Sequence, residues 1–164
     1  MSFLRFKISE GDPNSDIFFY GSEIDAMRGL ELRANYGDGP FWSWHPGVGD
    51  VESVYSNLDI NITEWHTYTA QWSENFMSFY IDGILVGSEN IVTNLSGLNS
   101  WIRIGRMGSN QSHRTDLTID YLKIYDSVLH SENFNICNNN SSENPILYFD
   151  FQNIQNNVVT DLSG

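Results

Sequence analysis

Apolar residues along this chain recur with a period of two, in short runs separated by Gly, Asn, Asp and Pro. That spacing predicts β-strands rather than helices. FLRFKI (3–8) alternates apolar and basic positions, and IFFYGS (17–22) follows the turn-like GDPNSD. In LELRANY (30–36), Leu30, Leu32 and Ala34 share one face and Glu31, Arg33 and Asn35 the other. FWSWH (41–45) and VESVYSNL (51–58) come next, each behind a stretch containing Gly and Pro. EWHTYTAQW (64–72) sets Trp65, Thr67, Thr69 and Gln71 against His66, Tyr68, Ala70 and Trp72. MSFYIDGILVGS (77–88) holds Asp-Gly between two apolar runs, the signature of a two-residue hairpin turn. WIRIGR (101–106), LTIDYLKIYD (117–126) and ILYFDFQ (146–152) complete the set, the last after a polar linker over residues 131–145.

Helical spacing is confined to SVLHSENFNI (127–136), enough for one short turn. Strands alone, many of them apolar on both faces, predict an all-β fold: an antiparallel two-sheet β-sandwich with an aromatic core. No boundary divides residues 1–130, so the chain reads as a single domain over 1–164, with 146–164 as a closing strand and tail.

Composition narrows the partners. The 164 residues are 40% hydrophobic and 14% aromatic, enough for one sizeable core. With 21 acidic against 8 basic residues the net charge is −13, which repels nucleic acid and anionic membranes and favours cations and neutral partners. Solubility alone also accounts for such a charge. The lone Cys137 excludes an internal disulfide, and no apolar run is long enough to insert in a membrane. MSFLRFKISEG lacks the features of a signal peptide.

Four stretches, in order, carry a family resemblance. IFFYGS…GLELR, EWHTYTAQW, FMSFYIDGILVGS and WIRIGR…LTIDYLKIYDSVL resemble the strands of laminin-G-like domains in the concanavalin A-like lectin/glucanase superfamily. The resemblance covers about two thirds of the chain and implies a jelly roll. It also implies that first and last strands are neighbours in one sheet. This chain lacks the family's usual opening strand and carries an apolar strand at its end. The expectation is therefore that 146–152 pairs antiparallel with 117–125, in a circularly permuted module or by strand exchange with a neighbouring module. The resemblance further implies a calcium ion near that join, at positions matching Asp120, Asp150 and Asp161. A rim site in GDPNSD (11–16) is a second place for it, and for Asp120 a plain water-facing strand residue is the alternative.

SEIDAMR (22–28) resembles the Glu-Ile-Asp-x-x-Glu strand of laminarinase-type glucanases, with Arg28 where the last carboxylate belongs. Retaining hydrolysis needs two carboxyl groups, one to attack and one to exchange a proton. Arginine stays protonated and cannot do the second job. The expectation is a connection between two strands and no catalytic residue, leaving a divergent glycoside hydrolase or lyase as a rival.

The candidate ligand platform is NYGDGPFWSWHPGVGD (35–50), because flat aromatic rings pack on the C–H faces of sugars while polar groups catch hydroxyls. Tyr36, Asp38, Trp42, Trp44 and His45 are its candidate ligand-binding residues. Trp42 and Trp44 share one strand face, which is either core or groove. His45, His66, His113 and His130 show no metal-ligand spacing. The reading is a non-catalytic module that binds a glycan, with calcium as the cofactor the resemblance suggests. It would belong to a larger extracellular, cell-surface or virion-surface protein. A protein-binding adhesion module is the alternative.

Overall fold

The structure, a computed structural model, describes residues 2–8, 16–22, 28–33, 39–46, 51–73, 75–90, 101–105, 116–127, 144–152, 154 and 158–163. Eleven strands and no helix are present among them: β1 (Ser2–Ile8), β2 (Asp16–Ser22), β3 (Arg28–Arg33), β4 (Phe41–His45), β5 (Glu52–Tyr55), β6 (His66–Trp72), β7 (Met77–Ile81), β8 (Ile84–Glu89), β9 (Trp101–Ile104), β10 (Leu117–Ile124) and β11 (Leu147–Asp150). They form two antiparallel sheets, a six-stranded one ordered β11-β10-β1-β6-β7-β8 and a five-stranded one ordered β5-β4-β3-β2-β9. The expected β-sandwich is what forms. The short helical turn expected within 127–136 lies outside the described residues beyond Ser127, as do the linker 131–145 up to residue 143 and Cys137.

Alternation builds the core. Leu4, Phe6 and Ile8 of β1, Leu30 and Leu32 of β3, Tyr68 and Ala70 of β6, and Met77, Phe79 and Ile81 of β7 turn one face of each sheet toward the other. Phe6 stacks on Tyr68 with ring centroids 4.3 Å apart. Burying each such large side chain stabilises the fold by about 1.5–3 kcal/mol.

Two turns show why their residues were required. Asp82 and Gly83 have φ of 51° and 79°, the pair of positive angles that lets a two-residue loop follow the twist of β7 and β8. Gly39 has φ of 93°, and a Cβ there would stand 2.7 Å from the Leu58 carbonyl oxygen. Only glycine fits that close approach at the entry to β4.

The C-terminal strand closes on its own chain. Tyr121 pairs with Asp150 and Lys123 with Tyr148, so β11 lies beside β10 as expected. The opening strand expected to be missing is nonetheless present, because β1 pairs with β10 on its other flank and with β6, and β11 adds to the sheet without replacing it. The tail then returns along β11, with an isolated bridge between Phe149 and Asp161. A bulge in β10 opposite Arg5 and Phe6 sets Asp120 out of register.

Candidate functional site

The five-stranded sheet has a second face, turned away from the other sheet, and its side chains follow from strand register. Arg33 pairs with Phe41 and Phe41 with Tyr55, which sets one row across β3, β4 and β5. The next row runs Glu31, Ser43 and Ser53, and beyond it His45 lies opposite Gly29. The sequence predicted this alternation correctly: Glu31 and Arg33 oppose Leu30 and Leu32, and Phe41, Ser43 and His45 oppose Trp42 and Trp44.

The tryptophans take the core alternative. Trp42 and Trp44 are 0% and 2% exposed, and the Trp42 ring lies 5.6 Å from that of Trp72 and 6.3 Å from Phe18. These are the bulkiest apolar groups of β4, and the space between the sheets is where they remove most surface from water. The platform expected of them is thereby corrected. His45 stays on the outward side of the same strand. Tyr36 and Asp38 lie outside the described residues.

That outward side carries a buried ionic network. Arg33 Nε donates to Asp16 Oδ1 at 2.7 Å and to Glu31 Oε1 at 2.8 Å. His45 Nε2–H donates to Glu31 Oε2 at 2.6 Å, and Ser43 Oγ lies 3.2 Å from the same nitrogen. Asp16 and Glu31 are both fully enclosed, at 0% exposure. Burial raises the Asp16 carboxyl to about 8, with help from its hydrogen bond to Glu31 and the Glu31 charge, against the opposing pull of Arg33. Burial acts the same way on Glu31, but hydrogen bonds from His45 and Asp16 and the charge of Arg33 outweigh it and hold that carboxyl well below its usual range. The physical picture is a carboxyl pair with one proton, Asp16 donating to an ionised Glu31 that also receives His45 and Arg33. Like charges this close do not both ionise in a desolvated site.

From Arg33 the row continues through the buried Phe41 to Tyr55, whose ring is tilted 34° to that of Phe41. The Arg33 guanidinium carbon stands 5.8 Å from the centre of the Phe41 ring, and the Phe41 and Tyr55 rings are 5.1 Å apart. Two carboxyls hold Arg33 in place, and Tyr55, at 40% exposure, ends the row at the sheet edge. Such a surface offers the Tyr55 ring to stack on, with Phe41 between it and the fixed guanidinium. Sequence reasoning placed Glu31 and Arg33 on this face but gave them no role, and it read Asp16 as part of a turn and of the second place for calcium.

The three aspartates named for calcium are brought to the same sheet edge but are otherwise engaged. Asp120 accepts from Arg5 and from the Gln152 side-chain amide. Asp150 accepts from the Gln152 backbone N–H at 2.9 Å. Asp161 accepts from the backbone N–H of Tyr148 at 2.9 Å and of Ser163 at 3.0 Å, and those bonds lower its pKa. Among the described residues no three His, Cys, Asp or Glu side chains gather as metal ligands. Of GDPNSD, only Asp16 is described.

SEIDAMR begins at the last residue of β2 and ends at the first residue of β3. Ser22 and Arg28 face each other across β2 and β3, as do Gly21 and Gly29, so the two ends of the segment belong to paired antiparallel strands. Glu23 and Asp25 themselves lie outside the described residues.

Several known proteins share this architecture. A native heptameric SAP-like pentraxin from Limulus polyphemus superposes with a TM-score of 0.64 at 13% identity, over 80% of this chain and 65% of that one. Domain 4 of AbnA, a GH43 extracellular arabinanase from Geobacillus stearothermophilus in complex with arabinotriose, gives 0.56 at 12% identity, over 74% and 57%. The binding domain of Paraclostridial Mosquitocidal Protein 1 gives 0.57 at 12% identity, over 83% and 36%. The chain thus spans less than two thirds of each of these proteins. No curated protein matches it in sequence. The family model Laminin_G_3, described as the concanavalin A-like lectin/glucanases superfamily, matches residues 4–133, and the chain belongs to that family.

Proposed function

We propose that this chain is a non-catalytic carbohydrate-binding module within a larger extracellular or surface protein. The observation that carries the proposal is the exposed Tyr55 ring at the end of the Arg33–Phe41–Tyr55 row on the outer face of the five-stranded sheet. A sugar ring laid on Tyr55 would stack its C–H face there and meet the Arg33 guanidinium with its hydroxyls. The arabinotriose complex of the arabinanase domain and the binding domain of the mosquitocidal protein support a binding role on this fold.

Catalysis is disfavoured by access. A glycosidase exposes two carboxyl groups to the scissile bond. The Asp16–Glu31 pair has the split pKa values such an enzyme uses, but both groups are enclosed and committed to Arg33 and His45.

A protein partner is the second reading, and one observation favours it. β5 and β8 are the edge strands where the two sheets meet, and Ile84, Leu85, Tyr55, Leu58 and Val51 are exposed there. Exposed apolar groups gathered at one edge mark interaction surfaces.

Calorimetric titration with soluble oligosaccharides, arabinotriose first, tests the proposal, with calcium and then with chelator. The expected result is saturable binding, weakened about two- to tenfold by Tyr55→Ala in a folded protein, since stacking contributes on the order of 0.5–1.5 kcal/mol. Binding that Tyr55→Ala leaves intact would move the site elsewhere. Loss of binding with chelator would add the calcium ion. No response to any glycan would turn attention to the β5/β8 edge and a protein.

A further inference from the structure

At the opposite edge of the sandwich, where β9 ends one sheet and β11 the other, the sheets part around a cavity of about 450 Å³. Its walls are core-like. Phe18 and Tyr20 of β2 line one side, Trp72 of β6 and Ile124 of β10 reach in, and Tyr125 follows. Ile102 and Ile146 stand at the margin, 39% and 57% exposed. Protein interiors are close-packed, so an apolar space of this size between two sheets is unusual unless something occupies it. Its polar groups, Asp126 and Ser127, lie together just past the end of β10.

We propose that this cleft is a binding site for a small arylalkyl amine, its aromatic body held between the sheets and its ammonium group at Asp126. The size fits, since ligand sites run from about 300 to 1,000 Å³. The four aromatic lining residues Phe18, Tyr20, Trp72 and Tyr125 suit a flat ring, and aromatic rings attract a cation. Charge sets the head group. Asp126 is exposed and forms no ion pair among the described residues, and the chain carries a net charge of −13. An anionic amphiphile such as a fatty acid is repelled by that mouth, and an amine is drawn to it. The site is separate from the outer face of the five-stranded sheet, so it stands or falls apart from glycan binding.

Calorimetric titration with three isosteres tests it: 1-naphthylmethylamine, 1-naphthalenemethanol and 1-naphthoate. The expected result is saturable one-to-one binding of the amine, weaker binding of the alcohol and none of the carboxylate. Asp126→Asn is expected to weaken the amine about tenfold, toward the alcohol, because a charge-assisted hydrogen bond is lost, and to leave the alcohol unchanged. Ile146→Trp, at an exposed edge position, is expected to fill the mouth and abolish both. Three results overturn the proposal: no binding of the amine, carboxylate binding equal to amine binding, or amine binding indifferent to Asp126→Asn. A second copy of the chain seated in the mouth is the other occupant. It would appear as a dimer dissociated by Ile146→Asp with no amine bound, and would equally overturn the proposal.

Discussion

The outer faces of the two sheets carry the same chemistry in opposite circumstances. On the five-stranded sheet one arginine, Arg33, is held by two enclosed carboxyls and by the histidine chain behind them. On the six-stranded sheet Arg5 pairs with Asp120 while its side chain remains 41% exposed, and Arg5 and Lys7 lie over the Trp65 ring at 5.2 and 5.5 Å. The first is a network in which each member answers for the others. The second is a set of pairs that water shares. Removing one partner of a buried pair leaves an uncompensated charge, whereas an exposed pair is worth little to begin with. Counting salt bridges would rank the two faces together, and solvent separates them.

The largest effect should come from Glu31→Ala. It removes the carboxylate acceptor of His45 and one of the two that Arg33 has, and urea denaturation should show a loss of about 3–5 kcal/mol, the range for breaking a buried pair. A loss below about 1 kcal/mol would mean that water enters the network and that the two faces are alike.

A change of pH should divide the faces next. A carboxyl whose pKa rises on folding holds its proton more tightly in the folded chain. Asp16 rises from 3.8 to about 8, so its contribution is fully present below about pH 4 and is lost as pH climbs toward 8. Glu31 moves the other way, so its contribution is lost as pH falls below its ordinary value of 4.5. The network should therefore be most stabilising in mildly acidic solution. Asp16→Asn keeps a neutral group there, and its Tm should fall less than that of the wild type between pH 5 and pH 8. Parallel Tm curves for the two proteins would show Asp16 ionised throughout.

The smallest effect belongs to the exposed face. Arg5→Ala should cost about 1 kcal/mol or less, and its cation–aromatic contact with Trp65 belongs to the same small range. Adding salt to about 1 M should erase most of the charge-pair part, as screening acts on exposed pairs first. A loss matching that of Glu31→Ala would place Arg5 in a network as tight as that of Arg33.

Much of this was legible in the chain, and where legibility ended has a physical reason. Period-two spacing gave the strands, and Asp82–Gly83 gave its hairpin because few residues accept two positive φ angles. Alternation also sorted Glu31 and Arg33 from Leu30 and Leu32. It could not sort Trp42 and Trp44 into core or groove, since a period of two names two faces without saying which is dry. Nor could it show that Asp16, Glu31 and His45 meet. Asp16 lies at the start of β2, opposite Arg33, and His45 reaches Glu31 from the next strand, so their contact depends on strand register. The amine cleft was invisible for the same reason: it is framed by strands that end two different sheets.

The position of β1 has a kinetic consequence. It is wedged between β6 and β10, and its Arg5 bonds to Asp120 across 115 residues of chain. β6, β7 and β8 are joined in sequence order and can zip together locally, but the flank of β6 stays unpaired until β1 docks. The centre of the six-stranded sheet thus waits for one of the longest loop closures in the molecule, and non-local pairing of that kind slows folding. In the interval β6 presents an open edge rich in aromatic and β-branched residues, the sort of template on which partly folded chains join one another. Refolding yield should accordingly fall with protein concentration more steeply than native stability would suggest.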